Sequence, residues 1–173
     1  MYIYKLKMRF IHLVISLLLA ISVLLTYYIY LIKDNNKSYI DHPFWFDLNK
    51  DVISILMIFQ ILAMIGFIVS IGSWIIYPPK KGIMKGINLF LTLVLFFASA
   101  ILWPIATHHN CISLSVFNLI LTAVASILLL AGSVEEEDVQ WYRVLGLLFL
   151  CITTVIGDGV IWNANYIIKN NYN

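Results

Sequence analysis

Long apolar runs alternate with short polar connections along this chain, and the length of each run predicts its structure. Five runs have roughly the 20 residues that an α-helix needs to cross ~30 Å of hydrocarbon. They cover residues 10–32, 52–77, 87–107, 112–132 and 144–166. Backbone N–H and C=O groups inside a bilayer must bond within their own segment, so we expect five transmembrane α-helices.

The composition excludes a soluble domain. Hydrophobic residues make up 62% of the 173 residues and charged residues only 12%, against about 45–50% and 25% in soluble proteins. The net charge is +2 and the basic residues are scattered, whereas nucleic-acid binding needs a clustered basic stripe. The lipid bilayer is therefore the partner that the composition indicates, and residues 1–173 are expected to form a single membrane domain.

The first run has two interpretations, because basic residues precede it as they precede a secretory signal. It is longer than the roughly 7–15-residue apolar core of a signal peptide, and it ends in tyrosines, which are enriched at membrane interfaces. We therefore interpret it as a retained first span. The basic residues are Lys5, Lys7 and Arg9, and the tyrosines are Tyr27, Tyr28 and Tyr30.

The distribution of Lys and Arg predicts the orientation, since these residues are in excess on the cytosolic side of a membrane. A cytosolic N-terminus places Lys5, Lys7, Arg9, Lys80, Lys81, Lys85 and Arg143 on that side, and Lys33, Lys37, Lys50 and Lys169 on the opposite side with the C-terminus. The acidic run 135–138 then lies on the cytosolic side, where we expect it to cap the fifth helix. The charges do not distinguish one organelle from another.

An internal repeat with an offset of 59 residues relates the two halves of the chain that follows the first span. Two small residues separated by one position, then two aliphatic residues and Trp, occur at 98–103 and again at 157–162, so that Ser99 corresponds to Asp158. Each unit, 51–106 and 110–165, would be one helical hairpin, and two spans per unit make the repeats parallel. Chance likeness between apolar sequences is the alternative.

The predicted architecture is an all-α integral membrane protein. Spans two to five form a four-helix bundle of two parallel hairpins, and the first helix packs outside it. Small residues four positions apart let membrane helices approach closely. Three such pairs mark the expected helix contacts: Gly66 and Ser70, Thr122 and Ser126, and Thr153 and Gly157.

Asp158 is the one acidic residue inside the five runs. A charged carboxylate in hydrocarbon costs ~2.5–3.5 kcal/mol on insertion scales, so Asp158 must be protonated, paired or in contact with water. Gly157 and Gly159 flank it, and two glycines weaken a helix unless a backbone or a ligand comes close. Thr154 lies one turn before Asp158 and Trp162 one turn after it, on the same face.

Three polar side chains in other spans fall at a similar depth to Asp158. Gln60 and Asn118 lie at comparable distances from the same membrane boundary, and Ser99 is the repeat equivalent of Asp158. Together these groups would line a small polar chamber open to the non-cytosolic side. The chamber would bind or conduct a proton, an ion or a small polar solute. The alternative is a buried hydrogen-bonded network that holds the helices in register.

Neither a metal site nor a catalytic group is predicted. Residue types that suit zinc occur in two loops, but their spacing matches no recognised ligand motif. They are His108, His109 and Cys111 in one loop, and Asp41 and His42 in the first loop. No histidine shares a depth and face with a Ser or Thr nucleophile, and no phosphate-binding glycine loop occurs. The sequence therefore does not favour an enzyme and indicates no cofactor.

Two classes of function remain. The first is a small membrane protein, alone or as a homo-oligomer, that binds or conducts an ion, a proton or a small polar ligand. Its site residues would be Asp158, Gln60, Asn118, Ser99, Thr154 and Trp162. The second class is a non-catalytic structural or assembly subunit of a larger membrane complex, which would copurify with fixed partners.

Overall fold

Helices contain nearly all of the residues that a computed structural model describes, which are 2–33, 45, 48–79, 82–136 and 138–171. The α-helices are α1 (Tyr2–Tyr27), α2 (Lys50–Ile76), α3 (Ile87–His108), α4 (Ile112–Val134), α5 (Trp141–Cys151) and α6 (Asn163–Asn171). A π-helical turn, Tyr28–Ile32, continues α1, and an 11-residue π-helix, Ile152–Trp162, joins α5 to α6. None of the described residues forms a β-strand.

Some residues that enter the sequence predictions lie outside the described residues. They are Asp41 and His42 of the metal alternative, Lys37, Lys80 and Lys81 of the charge distribution, and Glu137 of the acidic run.

Four helical segments in the described ranges are long and apolar enough to cross a membrane. They are Lys50–Trp74, Ile87–His108, Ile112–Val134 and Trp141–Lys169, and a shorter apolar helix, Val14–Tyr30, lies within the first helix. Large aliphatic side chains cover the outer faces; Ile58 and Ile68, for example, are 59% and 64% exposed. Such a surface is unfavourable in water and suits lipid. The prediction of an all-α, multi-pass membrane protein is confirmed.

The second, third and fourth helices begin and end within a few residues of the predicted bounds. The first begins earlier, at Tyr2 rather than residue 10, because its polar N-terminal residues continue the helix beyond the apolar run. The fifth differs at both ends: it begins at Trp141 rather than residue 144, and its helical structure continues to Asn171 rather than 166.

Arg143 explains why the fifth helix begins earlier than predicted. A charged residue ends an apolar run in the sequence, but the Arg143 side chain is fully buried in the first turn of α5 and pairs with Glu136. The prediction that the acidic run caps this helix is wrong, because the N-cap residue is Gln140 and the first turn contains no acid. Pairing with Arg143 satisfies the Glu136 carboxylate instead.

The helices pack so that α2 lies mainly against α5 and α3 mainly against α4, while α4 also contacts α5 and the long π-helix. The first helix packs against α3, outside the other four. A tight turn joins α3 to α4, in which Asn110 adopts a left-handed conformation with φ 55° and Cys111 N–H donates to Ala106 O at 2.8 Å. The bundle is therefore formed by α2, α3, α4 and the continuous segment of α5, the long π-helix and α6, and α1 is peripheral.

The closest helix contact is between two glycines. A Cβ atom on Gly66 would lie 2.7 Å from Gly146 O and closer still to Gly146 Cα, so the backbones of α2 and α5 touch here. One turn along α2, Ser70 Oγ donates to Gly66 O at 2.8 Å and lies 3.4 Å from Arg143 O. The predicted contact at Gly66 and Ser70 is confirmed, because small side chains permit this approach.

Two hydrophobic clusters form the core, and each occupies one end of the bundle. The Phe cluster lies at the Arg143 end, where α2 and α4 stop, and contains Ala63, Phe67, Trp74, Met84, Leu93, Phe96, Phe97, Ala125, Leu129, Leu147 and Leu150. The Trp cluster lies at the opposite end, called the His109 end, and contains Trp45, Ile53, Leu56, Trp103, Leu119, Trp162 and Tyr166. Five or six residues separate the two clusters on α2, α3 and α4, and eleven separate them between α5 and the end of the long π-helix.

Candidate functional site

Polar side chains fill the interval between the two clusters. We call this interval the polar layer. On each helix it lies between one residue of the Phe cluster and one of the Trp cluster. These bounding pairs are Leu56 and Ala63 on α2, Phe97 and Trp103 on α3, Leu119 and Ala125 on α4, and Leu150 of α5 with Trp162 of the π-helix. Of the four residues predicted to share a depth, Gln60, Ser99 and Asp158 fall inside these bounds, and Asn118 lies one position outside them, beside Leu119. Thr154 also lies inside them.

The helix that contains Asp158 changes its hydrogen bonding at the polar layer. Ile152–Trp162 is π-helical, and the Asn163 backbone N–H donates to Asp158 O, five residues back, as π geometry requires. π-helices are rare, are usually single turns, and often occur at functional sites. Gly157 and Gly159 allow close packing here, since added Cβ atoms would lie 3.1 Å from Leu56 Cδ2 and 3.0 Å from Thr154 O respectively.

The Asp158 side chain is on the interior face of this π-helix. Residues four and five apart share a face in a π-helix, and the four residues so related to Asp158 are buried: Thr153, Thr154, Trp162 and Asn163. The opposite face meets lipid at Ile156 and Val160, which are 52% and 59% exposed. The carboxylate is therefore directed into the bundle, although Asp158 remains partly exposed.

The Asp158 carboxylate makes no hydrogen bond or ion pair with any residue that the structure describes. One π-turn further along, Asn163 is 5% exposed, and its Nδ2 donates to Gly159 O at 3.1 Å. The buried Asn163 Oδ1 has no hydrogen-bond partner among the described residues. Two residues one π-turn apart on the interior face, Asp158 and Asn163, thus each carry a side-chain oxygen without a hydrogen-bond partner among the described residues.

Hydroxyl pairs join the neighbouring helices within the polar layer. Thr122 Oγ1 lies 2.8 Å from Ser99 Oγ and links α4 to α3. Ser126 Oγ lies 2.7 Å from Thr154 Oγ1 and links α4 to the π-helix, and Cys151 Sγ is 3.6 Å from Ser126 Oγ. All five residues are buried. Thr122 and Ser126, noted in the sequence only as a small pair, therefore supply the polar partners of two predicted site residues.

The other predicted site residues have separate surroundings. Gln60 is half-buried and lines an open groove of about 220 Å³ with Met57, Ile61 and Met64. Asn118 is buried and donates from Nδ2 to Leu114 O of its own helix at 2.7 Å.

Trp162 forms an edge contact with Trp103, their ring centroids 5.1 Å apart, and stacks obliquely on Tyr166.

Of the predicted site residues, Ser99 and Thr154 are joined to α4 by hydroxyl pairs. Asp158 forms no hydrogen bond to Gln60, Asn118 or Ser99 among the described contacts.

Arg143 is the centre of a buried cluster that sequence reasoning missed. Its guanidinium pairs with Glu136 and donates to Ser73 Oγ from Nε at 3.0 Å and from Nη2 at 2.7 Å. Nη2 also donates to Tyr77 O at 3.2 Å, and the Trp74 ring centroid is 5.6 Å from Cζ. The sequence signal was available: an acid lies seven residues before an Arg that borders an apolar run.

The loop between α3 and α4 carries the residues of the metal alternative. The ring centroids of His108 and His109 are 5.2 Å apart, Tyr30 lies 5.1 Å from His108, and Cys111 is exposed. No group of three or more His, Cys, Asp or Glu among the described residues is arranged to hold a metal ion.

Comparisons with protein-family models, with curated proteins and with solved structures give no match to this chain. The fold is that of an all-α, multi-pass membrane protein, and Asp158 has no hydrogen-bond or ion-pair partner among the residues that the structure describes.

Proposed function

We propose that this membrane protein binds a proton at Asp158, in the polar layer of its bundle. The proposal rests on the observation that the interior Asp158 carboxylate has no protein partner among the described residues. One π-turn further along, the buried Asn163 Oδ1 also has no hydrogen-bond partner among them. A charged carboxylate in the hydrocarbon costs ~2.5–3.5 kcal/mol on insertion scales. A proton removes the charge, and the resulting O–H can donate to a neighbouring oxygen such as Asn163 Oδ1.

The number of available oxygens favours a proton over a metal cation. Ca²⁺ takes about 6–8 oxygen ligands and Mg²⁺ needs octahedral geometry. The hydroxyls of Ser99 and Thr154 are hydrogen-bonded to Thr122 and Ser126, whereas the Asp158 carboxylate and the buried Asn163 Oδ1 have no hydrogen-bond partner among the described residues. These two acceptors suffice to share one proton.

No other titratable group lies close to Asp158 along its helix. The nearest in the sequence are Cys151, at the edge of the polar layer, and Tyr166, in the Trp cluster. From the adjacent helices, Leu56 of α2 and Ala123 of α4 approach the flanking glycines, and neither can carry charge. Protonation of Asp158 would therefore be a local event rather than a proton exchange within an acid cluster.

The proposal includes an orientation and an internal repeat. The excess of Lys and Arg supports a cytosolic N-terminus, with the His109 end of the bundle on the opposite side. Trp103 and Trp162, equivalent positions in the repeat, meet as residues near a symmetry axis would. The two most extensive contacts, α2 with α5 and α4 with α3, are also equivalent, although α4 contacts α5 more closely than α2 contacts α3.

A hydrophobic carbodiimide tests the proposal, because such reagents attack protonated carboxyl groups in apolar surroundings and remain attached as an N-acylurea. We expect mass spectrometry of the labelled, purified protein to show one adduct per chain, on the peptide that contains Asp158. Asp158→Asn should lose the adduct. Asp51→Asn, the same change at an exposed acid, should retain it.

Absence of an adduct at Asp158 in the folded wild-type protein would contradict proton binding. The structural or assembly class makes a different prediction for Asp158→Asn: an amide keeps most hydrogen bonds and avoids burying an acid. Equal or higher thermal stability of that variant, no adduct in the wild type, and fixed stoichiometric partners on purification would together favour the second class.

A further inference from the structure

We infer that the proton reaches Asp158 from the His109 end of the bundle, along the seam between α3 and α4, and not from the Arg143 end. This inference rests on the proposed function, since it describes access to the same site. It depends on polar contacts that extend from the layer toward one end and are interrupted toward the other.

Polar residues continue from the layer to the His109 end along one face of α4. Ser115, Asn118, Thr122 and Ser126 recur three or four positions apart and are all buried, so they form one stripe. At its outer end, Ser115 Oγ lies 2.6 Å from Thr107 Oγ1 of α3. Hydroxyl and amide groups at this spacing can bind the ordered waters along which protons move.

Toward the Arg143 end the same stripe is interrupted at Leu129, before the buried Ser133. The next position on that face is Leu129, which is 0% exposed, as is Leu147 beside it in the Phe cluster. On α2 this cluster continues from Ala63 to Trp74, roughly 16 Å at the rise of an α-helix. Beyond this cluster, the Arg143 guanidinium forms an ion pair with Glu136.

The Trp cluster lies across the His109 end, and residues of this cluster take part in hydrogen bonds. Trp103 Nε1 donates to Tyr27 Oη at 2.9 Å, and Asn165 Nδ2 donates to Trp45 O at 3.0 Å. The barrier on this side therefore contains hydrogen-bonding groups between helices, whereas the buried hydroxyls beside the Phe cluster, Ser70 and Thr92, donate to carbonyls of their own helices. A proton encounters the smaller desolvation cost on the His109 side.

Substituted-cysteine accessibility tests the direction of access. The protein carries Cys111→Ser, Cys151→Ser and Asp158→Cys, and it is reconstituted in liposomes. A small, membrane-impermeant, cationic methanethiosulfonate is then applied from each side. Protein with the native Cys111, which is exposed at the His109 end, identifies that side.

We expect Asp158→Cys to react only from the side on which Cys111 reacts. Adding Asn118→Leu should abolish most of the reaction by closing the polar seam, and adding Leu129→Ala should leave the rate unchanged. Reaction from the opposite side, reaction from neither side, or acceleration by Leu129→Ala would overturn the inference. If Asp158→Cys does not fold, Ser99→Cys at the same layer is used with the same expectations.

The inference and the proposed function fail separately. Reaction from the Arg143 side together with a carbodiimide adduct at Asp158 keeps the proton site and rejects the direction. Reaction from the His109 side without any adduct keeps the access route and rejects proton binding.

Discussion

An arginine and an aspartate are directed into the part of the bundle that the structure describes, and they have opposite surroundings. Arg143 has an acid, a hydroxyl, a carbonyl and an indole ring around it. Asp158 has no such partner among the described residues. A buried charge with a full set of partners fixes a structure, whereas an uncommitted carboxyl group is available for chemistry.

The sequence identified one of these residues and not the other, for a physical reason. Asp158 is recognisable because an acid in an apolar run has no solvent to stabilise it. Arg143 borders its run, where a charge is ordinary, and its burial depends on Glu136 and Ser73 reaching it in space. Thr122 and Ser126 were predicted only as a small pair at a helix contact, because their spacing shows that they share a helix face but not which hydroxyls they meet.

Removing the charge of Arg143 should destabilise the fold, because Glu136 would remain buried without a partner. We expect Arg143→Met to lower the free energy of unfolding in detergent by about 3–5 kcal/mol, the usual cost of breaking a buried pair from one side. The double variant Arg143→Met, Glu136→Gln should recover most of the loss. Lys85→Gln, at an exposed position of the same end, is the control.

No recovery in the double variant would show that Glu136 is not the group left unsatisfied. Equal stability of Arg143→Met and the wild type would show that the cluster contributes nothing measurable.

At the scale of elements, hydropathy was sufficient to find the helices but not their hydrogen bonding. Apolar runs report which residues lie in the bilayer, but they do not report whether each backbone N–H bonds four or five residues back. The Ile152–Trp162 π-helix therefore has no signature in the run, and the glycines around Asp158 are its one visible sign. The Gly66 contact was predictable because a missing side chain shows directly how closely two helices can approach.

The contact between Gly66 and Gly146 predicts a sharp difference between two glycines of α2. An added Cβ at Gly66 meets the backbone of α5, which cannot move aside as a side chain can. We expect Gly66→Ala to lower the free energy of unfolding by ~1–3 kcal/mol, as overpacking does. Gly72 has open space around its Cβ position, so Gly72→Ala should be neutral or raise stability by up to about 1 kcal/mol.

Thermal or denaturant unfolding of the two variants in the same detergent checks this prediction. A loss at Gly72→Ala equal to that at Gly66→Ala would mean that glycine flexibility, rather than helix contact, determines stability here.

At the scale of the whole molecule, the bundle is a core divided by a polar layer. The Phe cluster and the Trp cluster supply the packing, and the layer between them contains Asp158 and the hydroxyl pairs. Counting residues from the predicted membrane boundary grouped Gln60, Asn118 and Ser99 with Asp158, and of these Asn118 lies just outside the layer. The sequence could not predict whether Gln60 faces the bundle interior or its outer surface. The reason is that α2 is apolar all round, so its pattern does not define an inner face.

Infrared difference spectroscopy tests proton binding at Asp158 most directly. A protonated carboxylic acid has a C=O stretch well separated from carboxylate bands, and a change of pH in hydrated membranes reveals each group that titrates. Wild-type protein should show a carboxylic acid band from a group in apolar surroundings, and Asp51→Asn should retain it. Asp158→Asn should lose that band while still folding. A wild-type spectrum that Asp158→Asn leaves unchanged would contradict the account.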